Sequence, residues 1–235
     1  MHIPDGFLTG EAVAAGWAAG GAGLGYCLRR AHAEQRERDL PVAGLAAAFF
    51  LVGDAPVFPV TIGTQGHLLG GMLACALLGP WLGAVTIAVV IAIQALALGD
   101  GGITTMGLGI VNLALVPAFV GYPLLLALRR IWPTVVGLAM SAGICAWLCV
   151  VISACLFTGE FALGHAVSID LSSIAAGTIG AYALIGILEG VLTALILRAL
   201  IGIRPDLVRG ARALHHERTV RATAALRAAA ERGAR

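Results

Sequence analysis

The chain is expected to be an all-α integral membrane protein of seven transmembrane helices, one of them short. Three observations predict this. Of its 235 residues 59% are hydrophobic and only 12% charged, against about 25% charge in a soluble domain. Mean hydropathy is +0.93, more than one core can bury, since a folded surface in water needs polar cover. The apolar residues also fall into blocks separated by charge runs and turn signals. With 6% aromatic residues and 32 glycines, the blocks suit close-packed helices. A soluble enzyme is excluded.

A spanning helix needs about 20 apolar residues. The expected spans are Phe7–Leu28, Pro41–Phe58, His67–Leu78, Trp81–Leu98, Met106–Leu128, Pro133–Phe157 and Ile174–Ile203. The charge run Arg29–Asp39 ends the first. Gly79-Pro80 separates the third from the fourth, and Asp100-Gly101-Gly102 ends the fourth. Arg129-Arg130 and Trp132-Pro133 divide the fifth from the sixth. The third span is too short: its twelve residues rise about 18 Å as a helix, against about 30 Å of hydrocarbon. The stretch 59–66 before it therefore dips below the surface as non-helical backbone, tolerated at that depth only when it lines a cavity or packs in protein. His67 follows, at the start of a helix. No internal repeat is evident, and an inverted-repeat carrier has little support.

All 15 basic residues are arginine. Without lysine there is no Walker A loop, Schiff base or lysine general base, so ATP, if used, is bound by another chain. Cytoplasmic loops carry the excess of basic residues. An outside N-terminus and a cytoplasmic C-terminus put every arginine inside, from Arg29, Arg30, Arg36 and Arg38 to the tail. The outer face then carries Asp5, Asp54, Asp100, Glu160 and Asp170. Such a mouth concentrates cations, or is the arginine asymmetry seen from its other side. Met1–Leu8 has no positive charge and is not a signal peptide. Residues 1–207 form the membrane domain, and 208–235 an Ala/Arg-rich cytoplasmic helical tail.

The five cysteines, Cys27, Cys75, Cys145, Cys149 and Cys155, lie in apolar stretches without a C-x-x-C and read as buried small hydrophobes. Among six histidines, His32, His215 and His216 sit beside cytoplasmic arginines, and His165 is in an outer loop. His2 and His67 belong to the outer half. A Met-His start offers three nitrogens in sequence: the Met1 α-amine, the His2 amide and the His2 imidazole. Such a set suits Ni(II) or Cu(II), with Co(II) also accepted, and His67 is the candidate for the fourth corner. Taken alone, His2 reads first as a surface histidine; only its pairing with a buried His67 makes metal binding an equal reading. Glu11, Asp54 and Glu189 are functional candidates as intramembrane carboxylates. Glu189 is either a relay or a packing residue beside Thr193, and Asn112 is a polar residue that can support a ligand.

The opening Met-His-Ile-Pro-Asp-Gly-Phe-Leu (1–8) and Gly-Thr-Gln-Gly-His-Leu-Leu-Gly-Gly (63–71) resemble the CbiM/NikM proteins, substrate-binding membrane components of energy-coupling-factor transporters for cobalt and nickel. Leu78-Gly79-Pro80-Trp81, Asp100-Gly101-Gly102, Glu189-Gly190 with Thr193, and Arg204-Pro205-Asp206 extend the resemblance to about residue 207. It implies seven helices with the N-terminus inserted into the bundle, and a metal site formed by Met1, His2 and His67. Thr64, Gln65, Asn112 and Asp100 would support or gate that site. The family carries Ser at the place of Gln65, Gly at that of Ile62 and Asn at that of Gly109, so the surroundings depart from its pattern more than the ligands do.

The resemblance also implies Co(II) or Ni(II) as transported substrate, no ATP site in this chain, and a bacterial or archaeal plasma membrane. The implied partners are a transmembrane coupling subunit, a cytoplasmic ATPase pair and, in many members, a small accessory membrane protein; no nucleic acid is expected. The chain would be a binder rather than an enzyme. The rival reading is a self-sufficient ion-coupled carrier or channel with Glu189 and Asp54 as its proton path.

Overall fold

The computed structural model describes residues 2–37, 39–61 and 64–211, with backbone alone at 58, 59, 61, 64 and 65. Met1, expected as a ligand, and the tail 212–235, expected as helical, lie outside the described residues. Seven helices occur among those described: α1 Gly10–Glu34, α2 Asp39–Gly53, α3 Gly71–Leu78, α4 Pro80–Leu98, α5 Met106–Ile131, α6 Val135–Gly164 and α7 Leu171–Ile203. They follow the order of the expected spans. The last four are long and apolar enough to cross a membrane, while α2 is a shorter apolar helix. Leu45, Val52, Leu184 and Leu195 are exposed on their surfaces, as lipid-facing side chains are.

The ends follow from capping chemistry. Thr9, Thr134 and Asp170 cap α1, α6 and α7, their side-chain oxygens accepting from Ala12, Gly137 and Ser173 amides. Pro80 opens α4 at a position where its missing N–H costs nothing. Two π turns widen α5, at Val111–Leu115 and Pro117–Gly121, the second opened by a proline that cannot donate. On α6 and α7, Gly143 and Gly190 face each other. A Cβ on either would lie 2.6 or 2.7 Å from the other's carbonyl oxygen, so the two backbones touch directly.

Several boundaries differ from the sequence expectation. Helix α1 starts at Gly10 rather than Phe7, because Pro4 and a left-handed Gly6 (φ 80°) break the chain before it. It then runs through Arg29 and Arg30 to Glu34, where the carboxylate meets Arg30 one turn back at 2.8 Å. The non-helical stretch after α2 contains two short antiparallel strands, β1 Phe58–Thr61 and β2 Thr64–Gly66, within an otherwise helical fold. Helix α3 has only 8 residues and begins at Gly71, past His67. Glu160, expected in an outer loop, is inside α6, which continues to Gly164. Cys155 is exposed, whereas the other four cysteines are buried as expected.

The end of the bundle opposite the N-terminus gathers arginines. Glu34 receives Arg209 at 2.6 Å and the Trp81 indole N–H at 3.1 Å, and Arg129 donates to the Gly210 carbonyl at 3.0 Å. The domain boundary expected at residue 207 falls within this packing. Val208, Gly210 and Ala211 are buried against the bundle, and residues 204–211 form a strap across its arginine end.

Candidate metal centre

Residues 2–9 are threaded between two loops. The Ile3 side chain is buried, and its carbonyl accepts from the Thr105 hydroxyl at 2.5 Å and the Gly102 amide at 3.0 Å. Asp5 accepts from the amides of Thr104 (2.8 Å) and Ile103 (3.2 Å), and from the Thr104 hydroxyl. These bonds, the hydroxyl foremost, hold the Asp5 carboxyl below the usual carboxylate range. On the other side the Thr9 amide donates to the Gly164 carbonyl and the Ala166 amide to that of Phe7. The apolar side chains of Ile3, Phe7 and Leu8 sink into the bundle, and His2 is carried to its interior.

There His2 meets His67. The imidazoles stack with centroids 4.8 Å apart and planes inclined by 26°. Asp100 joins them: one ligand atom from each of His2, His67 and Asp100 lies within 4.8 Å of the others. His67 is 1% exposed. Its Nδ1 lies 2.5 Å from the Leu68 carbonyl and 3.9 Å from the Asp54 carboxylate. Asp54 is itself buried and accepts from the Gln94 amide at 3.2 Å. His2 Nε2 is buried and makes no hydrogen bond of good geometry among the described residues, with the Gln94 side chain as the ring's polar neighbour. Buried polar atoms without a partner are rare in a folded interior. Two imidazoles and a carboxylate form a donor set for a divalent transition metal.

The turn 99–102 is the seat for His2. Gly101 adopts φ 96°, and a Cβ there would sit 2.8 Å from His2 Cγ. A cavity of about 600 Å³ opens beside it, lined by His2, Asp5, Ala55, Leu98 and Asp100 among others. An ion reaching His2 from this side passes two carboxylates.

The remaining expected residues are placed as follows. Thr64 and Gln65 lie on β2, and their side chains are outside the described set. Asn112 is buried but bonded to Glu160 (3.0 Å), with its carbonyl held by Ser153 (2.5 Å), rather than to either histidine. Glu189 is buried, and its two carboxylate oxygens accept from the Leu69 and Gly70 amides at 2.7 and 3.1 Å. Glu11 lies in the first turn of α1. His165 bonds the Phe161 carbonyl and stacks on that ring. Two residues escaped the sequence reading: Gln94, which holds Asp54, and Tyr182, whose hydroxyl bonds the His67 backbone. Both are polar groups inside apolar spans, the signal by which they are recognisable.

Residues 2–207 match the family described as CbiM, cobalt uptake substrate-specific transmembrane region. A putative metal transport protein of Haloquadratum walsbyi is 34% identical over 208 residues, 88% of this chain and 93% of that one. A cobalt transport protein CbiM of Sorangium cellulosum is 31% identical over 218 residues, 88% and 94% of the two chains. A putative fused nickel transport protein NikMN of Archaeoglobus fulgidus is 33% identical over 213 residues, 88% of this chain and 68% of that one. Among solved structures, a truncated transition metal transporter superposes with a TM-score of 0.80 at 25% identity, covering 86% of this chain and 99% of that one. A multi-pass helical architecture, a stacked histidine pair and these relatives converge: the chain belongs to the CbiM family and is a cobalt/nickel transition metal transport component.

Proposed function

We propose that this chain captures Co(II) or Ni(II) from outside the cell for an ATP-driven uptake complex of the energy-coupling-factor type. The Met1 amine, the His2 amide and imidazole and the His67 imidazole form a nitrogen plane around the ion. Asp100 stands beside it as a carboxylate that offsets the ion's charge. The stack of the His2 and His67 rings, with a ligand atom of each and one of Asp100 within 4.8 Å of one another, is the observation that carries this reading. The stretch 59–66, directly before His67, is the gate, with the described strands Phe58–Thr61 and Thr64–Gly66 paired.

In this reading the chain crosses a prokaryotic inner membrane seven times, with the N-terminus outside and the C-terminus in the cytoplasm. The arginines at one end of the bundle support that orientation. ATP hydrolysis falls to a separate ATPase pair, reached through a transmembrane coupling subunit, since the chain has no lysine for a Walker A loop. A small accessory membrane protein is a further expected partner. Calorimetry of the purified protein with Ni(II) and Co(II), in wild type and His67→Ala, tests the site; unchanged affinity in the variant overturns it. Uptake of labelled ion in cells with and without the ATPase pair tests the energy source. Uptake undiminished without it would favour the self-sufficient carrier.

A further inference from the structure

The segment that carries His67 has little rigidity of its own. Residues 67–70 are neither strand nor helix, and Gly70 turns through φ 65° before α3 begins. A planar metal site, however, requires its ligands to be held within about 0.5 Å and 10–20° of the productive geometry. The rigidity comes from α7. Glu189 uses both carboxylate oxygens to accept the Leu69 and Gly70 amides, 2.7 and 3.1 Å away. Tyr182, seven positions earlier and so two turns along the same helix face, places its hydroxyl on the His67 backbone. Between them Ile185 packs against Gly66, where a Cβ would come within 2.9 Å of its Cδ1. Glu189 is 4% and Tyr182 1% exposed, so neither is loosened by solvent.

We infer that α7 is the splint of the metal site: Glu189 is a positioning residue for metal capture, acting on His67 through the backbone of Leu69 and Gly70, with Tyr182 as its second anchor. This rests on His67 being a ligand, as proposed above. The paired geometry distinguishes the role from simple filling of space. A glutamine of the same shape offers one acceptor oxygen and an NH2 group, so one of the two amides loses its partner and the NH2 meets an N–H. A proton relay, by contrast, predicts that Glu189→Gln blocks transport while leaving equilibrium binding alone.

The test uses the full chain purified in detergent, with Ni(II) as probe. Affinity is read by calorimetry, the coordination plane by the visible absorption of planar nitrogen-bound Ni(II), and folding by the thermal midpoint followed through tryptophan fluorescence. Wild type is expected to show the planar band. Glu189→Gln is expected to unfold cooperatively, to bind about 10–100-fold more weakly, as the loss of groups orienting metal ligands generally does, and to show a shifted or lost planar band. Tyr182→Phe is expected to show a smaller change in the same direction. Wild-type affinity and spectrum in Glu189→Gln overturn the inference while the ligand reading stands. If Glu189→Gln does not fold, Tyr182→Phe decides, and an unaltered affinity and band there overturns it. A wild-type protein that binds Ni(II) without the planar band overturns the ligand assignment, and this inference with it.

Discussion

His2 lies face to face with His67, ring centroids 4.8 Å apart, although one comes from the second residue and the other from the segment beyond the hairpin. Each ring depends on a different part of the bundle: His2 on the turn 99–102, His67 on α7. Replacing either by alanine is expected to abolish high-affinity Co(II) and Ni(II) binding without unfolding the bundle. Calorimetry and tryptophan fluorescence on the two variants check this, and micromolar or tighter binding in both contradicts it.

Adding one residue before Met1 is expected to abolish uptake. The Met1 nitrogen would become an amide and the free amine would move one residue away from His2. The new terminus can still chelate an ion, but with two amides of its own, leaving His67 unused. Pro4, with its fixed φ, limits how Ile3–Gly6 can shift to compensate. Uptake by an alanine-extended protein, its N-terminus verified by mass spectrometry, decides the matter; full uptake removes the terminal amine from the site.

Gly101→Ala is expected to weaken metal binding at least about tenfold. A Cβ there falls 2.8 Å from His2 Cγ, and φ 96° is costly for any L side chain, on the order of 1–3 kcal/mol. Gly99→Ala is the control. It has positive φ (66°) but nothing within 4 Å of the added carbon, so it is expected to lower the thermal midpoint and leave affinity within about threefold. Equal losses of affinity in the two variants would show that strain alone, and not the contact with His2, is responsible.

Asp5 ties the N-terminal segment to Thr104, and its folded pKa is lowered from 3.8, chiefly by the Thr104 hydroxyl. A lowered carboxylate contributes its stabilisation fully above the unfolded pKa and loses it as pH falls through the folded value. The tie is therefore expected to be constant at neutral and mildly acidic pH and to release only below about pH 4. Asp5→Asn should release it at every pH. Hydrogen exchange at the Thr104 amide measures both: slow in wild type from pH 5 to 7, fast in the variant. Slow exchange in Asp5→Asn would show that the segment is held by Ile3 alone.

Gly143→Val is expected to separate α6 from α7, because its first added carbon already lies 2.6 Å from the Gly190 carbonyl oxygen. Overpacking of this kind costs typically 1–3 kcal/mol. A lowered midpoint in denaturing-detergent titration is the expected result, and an unchanged midpoint would place the helix contact elsewhere.

The four long helices were legible from hydropathy blocks alone, and the turn signals at Gly79-Pro80 and Asp100-Gly101-Gly102 marked true breaks. The start of α3 was not legible, because the acceptor for the Leu69 amide, Glu189, stands 120 positions away in the chain. Glu160 read as a loop residue because a carboxylate at a span edge looks solvated; its partner Asn112, 48 positions off, lets it stay in a helix. The hairpin was anticipated as non-helical backbone but not as paired strands, since two short segments interrupted by Pro59 carry almost no period-two signal. The juxtaposition of His2 and His67 rested on the unusual chemistry of a Met-His start. The resemblance already implied Asp100 as a residue supporting that site; the turn 99–102 beneath His2 is what brings its carboxylate to the two rings.

The strap at the arginine end bears on how this chain tolerates splicing. The family match stops at Leu207, yet the next four residues include Val208 and Ala211, both fully buried, and Arg209, whose guanidinium reaches Glu34 at 2.6 Å. A graft joined directly after Leu207 would strip Glu34 of that partner and uncover the ends of α3 and α5. The same graft joined after Ala211 would hang from a closed surface. The seam for attaching another module thus lies one short turn later than sequence similarity alone suggests.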